Sequence, residues 1–166
     1  MNLEIERRFL VKGKSWEKLI TNQTHILQGY LASSINGWTV RVRITDNKTA
    51  LITLKANAQG IARHEYEYPI PLNEAIQIFE TLSRKITKTR YHLNIKNGDW
   101  VVDYFEEANE NLIIAEGELN SAEDKIEIPD WCIKEITTEC SFSNAGLAKE
   151  PFSQWGEAKK RKLLRS

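Results

Sequence analysis

The stretch Leu3-Glu4-Ile5-Glu6-Arg7-Arg8-Phe9-Leu10-Val11 decides how the rest of the chain is read. It alternates with period two, as a half-buried strand does. Leu3, Ile5, Phe9 and Val11 share one face with Arg7. Glu4, Glu6 and Arg8, then Leu10, share the other. Charges on the second face of a strand ordinarily mean contact with water. Later strands argue for another use, because they repeat the pattern with charges sorted by sign.

Working outward, Ser15 to Thr21 reads as a short helix capped by Ser15. His25 to Leu31 reads as a strand in which Gly29 marks a bulge or a close approach. Asn36-Gly37 signals a tight hairpin. Trp38 to Thr45 follows, with Thr39, Arg41, Arg43 and Thr45 on one face. Thr49 to Ala56 returns with Leu51, Thr53 and Lys55 on one side. Ala62 to Ile70 alternates Arg63, Glu65 and Glu67 against His64, Tyr66 and Tyr68. Asn73 to Arg84 has the apolar spacing of a helix. Ile86 to Ile95 carries Lys88, Arg90 and His92 on one face, and Asn97-Gly98 signals a second hairpin. Asp99 to Phe105 sets Asp103 opposite Trp100, Val102 and Tyr104. Leu112 to Leu119 is apolar except for Glu116 and Glu118, and Lys134 to Glu139 reads as a last short strand carrying Glu135. From Ser143 the chain reads as short helices.

The pattern predicts an α+β, mainly β fold: roughly eight or nine antiparallel strands forming a barrel or sandwich, with helices at the margins. It predicts one domain over 1–166, with a strand core over about 1–139 and a helical segment over about 143–166. The 166 residues are 41% hydrophobic and 28% charged, a globular composition. A formal net charge of zero supplies no global field toward nucleic acid or membrane, so neither is expected as a partner. Cys132 and Cys140 make neither a disulfide framework nor a zinc pattern, and both are expected to be inert. With no apolar leader or spanning run, the cytoplasm is the default location. Lys159-Lys160-Arg161-Lys162 reads as a solvated helix end, His92 as polar lining, and Trp131 and Trp155 as core or helix-docking residues.

Alternating Arg and Glu on a solvated sheet make ion pairs of roughly 0.2–1 kcal/mol each. Here the charges segregate instead. Arg41, Arg43, Lys55, Lys88 and Arg90 form a basic group; Glu4, Glu6, Glu116 and Glu118 form an acidic one. Acids two apart on a strand lie on one face and can share an oxygen-liganded cation such as Mg²⁺ or Mn²⁺. A set of arginines and lysines can grip a polyphosphate by charge-assisted hydrogen bonds. Together they fit phosphoryl transfer, with the charges facing a wide, wet interior, since dry burial of so many ions is too costly.

These residues resemble the CYTH superfamily of triphosphate tunnel metalloenzymes. Its signature, Glu-x-Glu-x-Lys, stands here as Glu4-Ile5-Glu6-Arg7-Arg8. The resemblance continues through Arg41-Val42-Arg43, Thr53-Leu54-Lys55, Arg63-His64-Glu65-Tyr66-Glu67, Lys88-Thr89-Arg90-Tyr91, Asp103, Ala115-Glu116-Gly117-Glu118-Leu119 and Lys134-Glu135-Ile136-Thr137. It implies an eight-stranded antiparallel tunnel that hydrolyses or cyclises a small-molecule triphosphate with Mg²⁺ or Mn²⁺. It implies that Glu4, Glu6, Glu116 and Glu118 hold metal, and that Arg8, Arg41, Arg43, Lys55, Arg63, Lys88 and Arg90 bind substrate. By the same resemblance Glu4, Glu6, Arg8 and Tyr30 are catalytic, with Tyr30 touching the basic residue of the signature, and Glu65, Glu67, Asp103 and Glu135 line the tunnel. Two departures stand out. Arg8 replaces the signature lysine and, always protonated, cannot act as a base. Gly117 replaces a β-branched residue between the acids.

The resemblance, closest in length to the family's short single-domain bacterial members, implies inorganic tripolyphosphate as substrate, giving pyrophosphate and phosphate. Class IV adenylyl cyclase is the alternative, followed by hydrolysis of ATP or thiamine triphosphate. A polyphosphate-binding module without catalysis would predict lost metal acids, and all four are present. A lipocalin-like carrier would need an apolar inner face. The oligomeric state is left open between monomer and homodimer.

Overall fold

The protein is described here from a computed structural model covering residues 2–34, 36–96 and 98–165. Among these residues nine strands form the frame: β1 (Leu3–Val11), β2 (Ile20–Ala32), β3 (Thr39–Thr45), β4 (Thr49–Asn57), β5 (Ala62–Ile70), β6 (Lys85–Ile95), β7 (Gly98–Phe105), β8 (Ile113–Glu118) and β9 (Cys132–Glu135). Three helices accompany them: α1 (Leu72–Thr81), α2 (Asn144–Lys149) and α3 (Glu157–Arg165). The order β5-β4-β3-β2-β6-β7-β8-β1, with β5 pairing back onto β1, closes an eight-stranded antiparallel barrel. No helix among the described residues is long and apolar enough to cross a membrane.

β1 is the seam of this closure. Its start pairs with β5, Glu4 opposite Arg63. Its middle pairs with β8, Arg8 opposite Glu116 and Glu6 opposite Glu118. Its end also takes β9, Phe9 opposite Glu135. Side chains paired across a ladder share a face, so these registers sort the charges. Glu4, Glu6, Arg8, Arg63, Glu116 and Glu118 turn inward together. Glu135, in register with Phe9, turns outward with Arg7.

Apolar residues fill both sides of the wall. Outside, Phe9, Trp16, Trp100, Val102, Ala115 and Trp131 pack together. The helix α1 covers Val42, Ile44 and Ala50. Inside, one end of the barrel is filled: Leu10, Tyr30, Ile86, Phe105 and Ile114 pack against Phe142, Leu147, Ala148 and Trp155 of the C-terminal segment. That end is therefore stoppered by the helices expected only at the margins. The other end keeps its charges and its opening.

Several expected boundaries move. The helix expected over Ser15 to Thr21 is a 3-10 turn at Glu17–Leu19, and Ile20 already belongs to β2. Ser15 does not cap it. Trp16 precedes the turn, and its buried ring donates Nε1–H to the Gly13 carbonyl at 3.0 Å. Thr21 to Thr24 are polar, so no apolar period marked the long start of β2. At Gly29 the chain makes a close approach: a Cβ there would lie 2.6 Å from Leu82 Cδ1 of the segment after α1. The irregularity in the ladder comes later, between Tyr30 and Ala32. The Asn36-Gly37 signal falls in a connection from Ala32 to Thr39, longer than a two-residue hairpin. Of the second signal, Asn97 lies outside the described residues, and Ile95 pairs with Gly98 across it.

Candidate functional site

The open end of the barrel holds a cavity of about 480 Å³. Arg41, Arg43, Lys55 and Arg90 line it from β3, β4 and β6. Glu4, Glu6, Glu65, Glu67, Glu116 and Glu118 line it from β1, β5 and β8. Ten of the sixteen residues singled out from the sequence thus meet in one chamber. Strand alternation delivers each of them, and the register stacks them.

Two of the four lining cations are paired with acids. Lys55 Nζ lies 2.6 Å from Glu4 Oε2 and 2.7 Å from Glu65 Oε2. Arg90 forks Asp103, Nε to Oδ1 at 2.7 Å and Nη2 to Oδ2 at 2.8 Å, and its Nη2 also reaches Glu116 at 3.0 Å. Arg43 Nε donates to Gln28 Oε1 at 2.8 Å. Thr53 Oγ1 donates to Glu67 at 3.0 Å. Arg41 keeps a buried Nε with no partner. Such an N–H is costly unless something that enters the cavity accepts it.

The acids differ in charge state. Burial would push the Glu116 carboxyl up, but Arg90, Lys88 and Arg8 outweigh it and hold it well below the usual carboxylate range. Glu6 lacks such support. Burial, then the charges of Glu116 and Glu4, push it up to about 8. Glu6 and Glu116 lie against each other, Glu6 being the more readily protonated of the two. Burial and the surrounding acids Asp99, Glu4, Glu65 and Glu116 also raise Glu118. On the basic side, burial and the charges of Arg41 and Arg90 bring Arg43 down to about 10.

The remaining six residues all sit outside the lining. Lys88 and Asp103 are fully buried, joined Nζ to Oδ2 at 2.7 Å, so Lys88 lies behind the residues that line the cavity. Burial brings the Lys88 ammonium down to about 7 despite Asp103. Arg8 is buried as well: its Nε is 3.4 Å from Glu116 Oε1 and its Nη1 donates to the Phe142 carbonyl at 2.9 Å. Tyr30 belongs to the apolar stopper, and its hydroxyl meets Gln28 at 3.1 Å and Arg41, not Arg8 as expected. Glu135 is not in the tunnel at all. It forms a two-pronged pair with Arg7, at 2.8 and 2.6 Å, on the outer face. The sixth, Arg63, faces inward opposite Glu4 but falls outside the cavity lining.

Two participants were not singled out from the sequence. Gln28 is fully buried and carries Arg43; its signal was its spacing two residues before Tyr30. Asn144, the first residue of α2, lines the cavity and accepts from Lys88 Nζ at 3.0 Å. No periodicity could place a residue from a six-residue helix there. Gly117 is closely packed on the outside of the wall: a Cβ would sit 3.0 Å from the Trp100 ring and from Ile126 Cδ1, and those neighbours would have to give way to a β-branched residue.

The CYTH domain model matches residues 2–148. The chain belongs to the CYTH domain family. Within it, the chain is 37% identical over 159 residues to an inorganic triphosphatase of Acetivibrio thermocellus, covering 95% of this chain and all of that one. Among solved structures, the inorganic triphosphatase NE1496 superposes with a TM-score of 0.65 at 27% identity, covering 87% of this chain and 97% of that chain. HpAC1 from Hippeastrum, an adenylyl cyclase candidate with a dominant triphosphatase activity, superposes with a TM-score of 0.54 at 13% identity, covering 74% and 81%. That last likeness is one of fold.

Proposed function

We propose that this CYTH protein hydrolyses inorganic tripolyphosphate to pyrophosphate and phosphate. The observation that carries the reading is the chamber itself: Arg41, Arg43, Lys55 and Arg90 converge on one wet cavity with acids opposite. The relative from Acetivibrio thermocellus, matched along its whole length, supports the substrate. In the reading, Arg41 and Arg43 hold phosphate oxygens by charge-assisted hydrogen bonds, and Arg41 finds its missing acceptor there. Asp103 fixes the Arg90 guanidinium so that its charge is presented without searching rotamers. Lys55 hangs between Glu4 and Glu65, ready to exchange a carboxylate for a phosphate oxygen.

Among the described residues, no three acid, histidine or cysteine side chains are already arranged around a metal ion. The donor set nevertheless fits a hard divalent cation. Glu4, Glu6 and Glu116 crowd together, the charges of Glu116 and Glu4 pushing Glu6 up, and a cation among such carboxylates relieves that repulsion. Glu4, Glu6 and Glu116 would hold Mg²⁺ or Mn²⁺, with Glu118 nearer the mouth. A cation bound there would neutralise phosphate charge and polarise a water for attack. Arg8, unable to take a proton, serves as a fixed charge beside Glu116. The protein is read as working in the cytoplasm on a free small molecule.

The test is phosphate release from tripolyphosphate and from ATP, side by side, with Mg²⁺ and with Mn²⁺, and with cyclic AMP assayed in the ATP reaction. Fast release from tripolyphosphate with little from ATP is expected. Cyclic AMP would move the protein to the cyclase class. Binding of tripolyphosphate with no turnover under any metal would leave a binding module.

A further inference from the structure

We propose that Asn144 is the floor of the tunnel: its side-chain amide contacts the terminal phosphoryl group and stops the phosphate chain from entering further. The inference rests on the triphosphate reading above. Asn144 is the one cavity-lining residue that comes from beyond β8, among the described residues. Beneath it the barrel is stoppered by Phe142, Leu147 and Trp155, packed on Leu10, Ile86 and Phe105. No chain can continue past that layer, so whatever touches Asn144 is an end.

The orientation of the amide follows from its partner. An ammonium has only donors, so the 3.0 Å contact with Lys88 Nζ is made by the amide oxygen. The two N–H groups make no hydrogen bond among the described residues and remain for the cavity. Lys88 is itself held by Asp103 at 2.7 Å, and Asp103 by Arg90, so the amide cannot flip without breaking that chain. Asn144 is not occupied with capping its own helix. Ser143 does that, its hydroxyl accepting from the Gly146 amide at 3.0 Å. The backbone under it is fixed too: Gly146 lies so close to the Cys140 carbonyl that a Cβ would stand 2.2 Å from the oxygen. At the opposite end, exposed Glu67 and Glu118 ring the mouth. A chain seated on Asn144 and lengthened outward runs toward Glu67 and Glu118, which penalises added phosphates at the mouth.

Two variants separate binding from folding. Asn144→Ala removes the amide, and with it the acceptor of Lys88. Asn144→Asp gives Lys88 a better acceptor but turns a carboxylate toward the phosphoryl group. Loss of one hydrogen bond to a charged oxygen corresponds to roughly a tenfold rise in KM for tripolyphosphate. For Asn144→Ala we expect that rise with a smaller change in kcat, and a fall in the preference for tripolyphosphate over tetrapolyphosphate. For Asn144→Asp we expect a larger rise in KM with the Tm kept at or above wild type. The same proteins are titrated with tripolyphosphate by calorimetry without divalent metal. If wild type binds but does not turn over, the hydrolytic reading fails and Kd still decides Asn144. Wild-type KM or Kd in Asn144→Asp, or an unchanged length preference in Asn144→Ala, overturns the assignment, as does absence of any tripolyphosphate binding by wild type.

Discussion

Arg8 and Phe142 stand 134 positions apart in the chain, yet Arg8 Nη1 donates to the Phe142 carbonyl at 2.9 Å. The same guanidinium lies against Glu116. One side chain thus ties the acidic wall to the stopper. A lysine has a single charged head and cannot hold two partners in a fixed fork. Arg8→Lys should therefore lower stability by about 1–3 kcal/mol, read as a lower Tm, because one buried partner is left unmade. Its charge beside Glu116 survives, so kcat in a phosphate-release assay should stay near wild type. A large fall in kcat would show that the guanidinium has a direct role in turnover.

Glu116 faces three cations, Arg90, Lys88 and Arg8, whose charges hold it ionised. Glu116→Gln should cut turnover of tripolyphosphate by at least the ~100-fold that loss of a group supporting a metal can cost. Calorimetry should show tripolyphosphate still bound, because Arg41, Arg43 and Lys55 make no ion pair with Glu116. Glu4→Gln should behave alike. Undiminished turnover in either would remove these acids from the metal assignment.

Arg41→Ala should raise KM for tripolyphosphate by about 10- to 100-fold, the value of one charge-assisted hydrogen bond. The unsatisfied Nε of Arg41 is the reason to expect the effect in binding. An unchanged KM would mean that the substrate never reaches β3.

Lys88 predicts a dependence of stability on pH. Its ammonium, lowered from 10.5 to about 7 in the fold, binds a proton more readily in the unfolded chain between those values. Stability then rises with pH through that window. Glu6, raised from 4.5 to about 8, has the reverse slope below 8. Cys132, raised from 9.0 to about 12 by burial, has it above 9. Between pH 8 and 9 Glu6 and Cys132 are each only partly titrated, while Lys88 differs almost fully between the folded and unfolded chain, so its slope outweighs theirs. Urea denaturation over that interval should show wild type gaining stability and Lys88→Met gaining less.

Gly117→Val restores the β-branched residue of the family pattern. With Trp100 and Ile126 only 3.0 Å from the new Cβ, it should destabilise by about 1–3 kcal/mol. A Trp100→Leu background should relieve part of that loss, as a double-mutant cycle would show.

The barrel was legible because each wall strand alternates, and alternation states which residues face together. Glu4 and Glu6 needed nothing more. Glu135 was misplaced because β9 is four residues long, and only its pairing of Glu135 with Phe9 says which way it faces. Lys88 had the right face but the wrong depth: alternation along β6 cannot tell a cavity wall from the layer beneath it. Asn144 and the stopper were illegible for a different reason. They are brought in by contacts such as Arg8 with Phe142, which leave no periodic trace.

The three-way pairing of β1 also bears on how the molecule forms. Its neighbours β5, β8 and β9 are all made later in the chain, and β8 and β9 lie more than a hundred positions away. Contacts that join distant positions close slowly, because the loop must be ordered before it is rewarded. β1 should therefore be among the last strands to dock during refolding. Glu4, Glu6 and Arg8 ride on it. A nascent or partly refolded chain would have most of its sheet and none of its acidic wall, so recovery of catalytic activity should lag the recovery of β-structure.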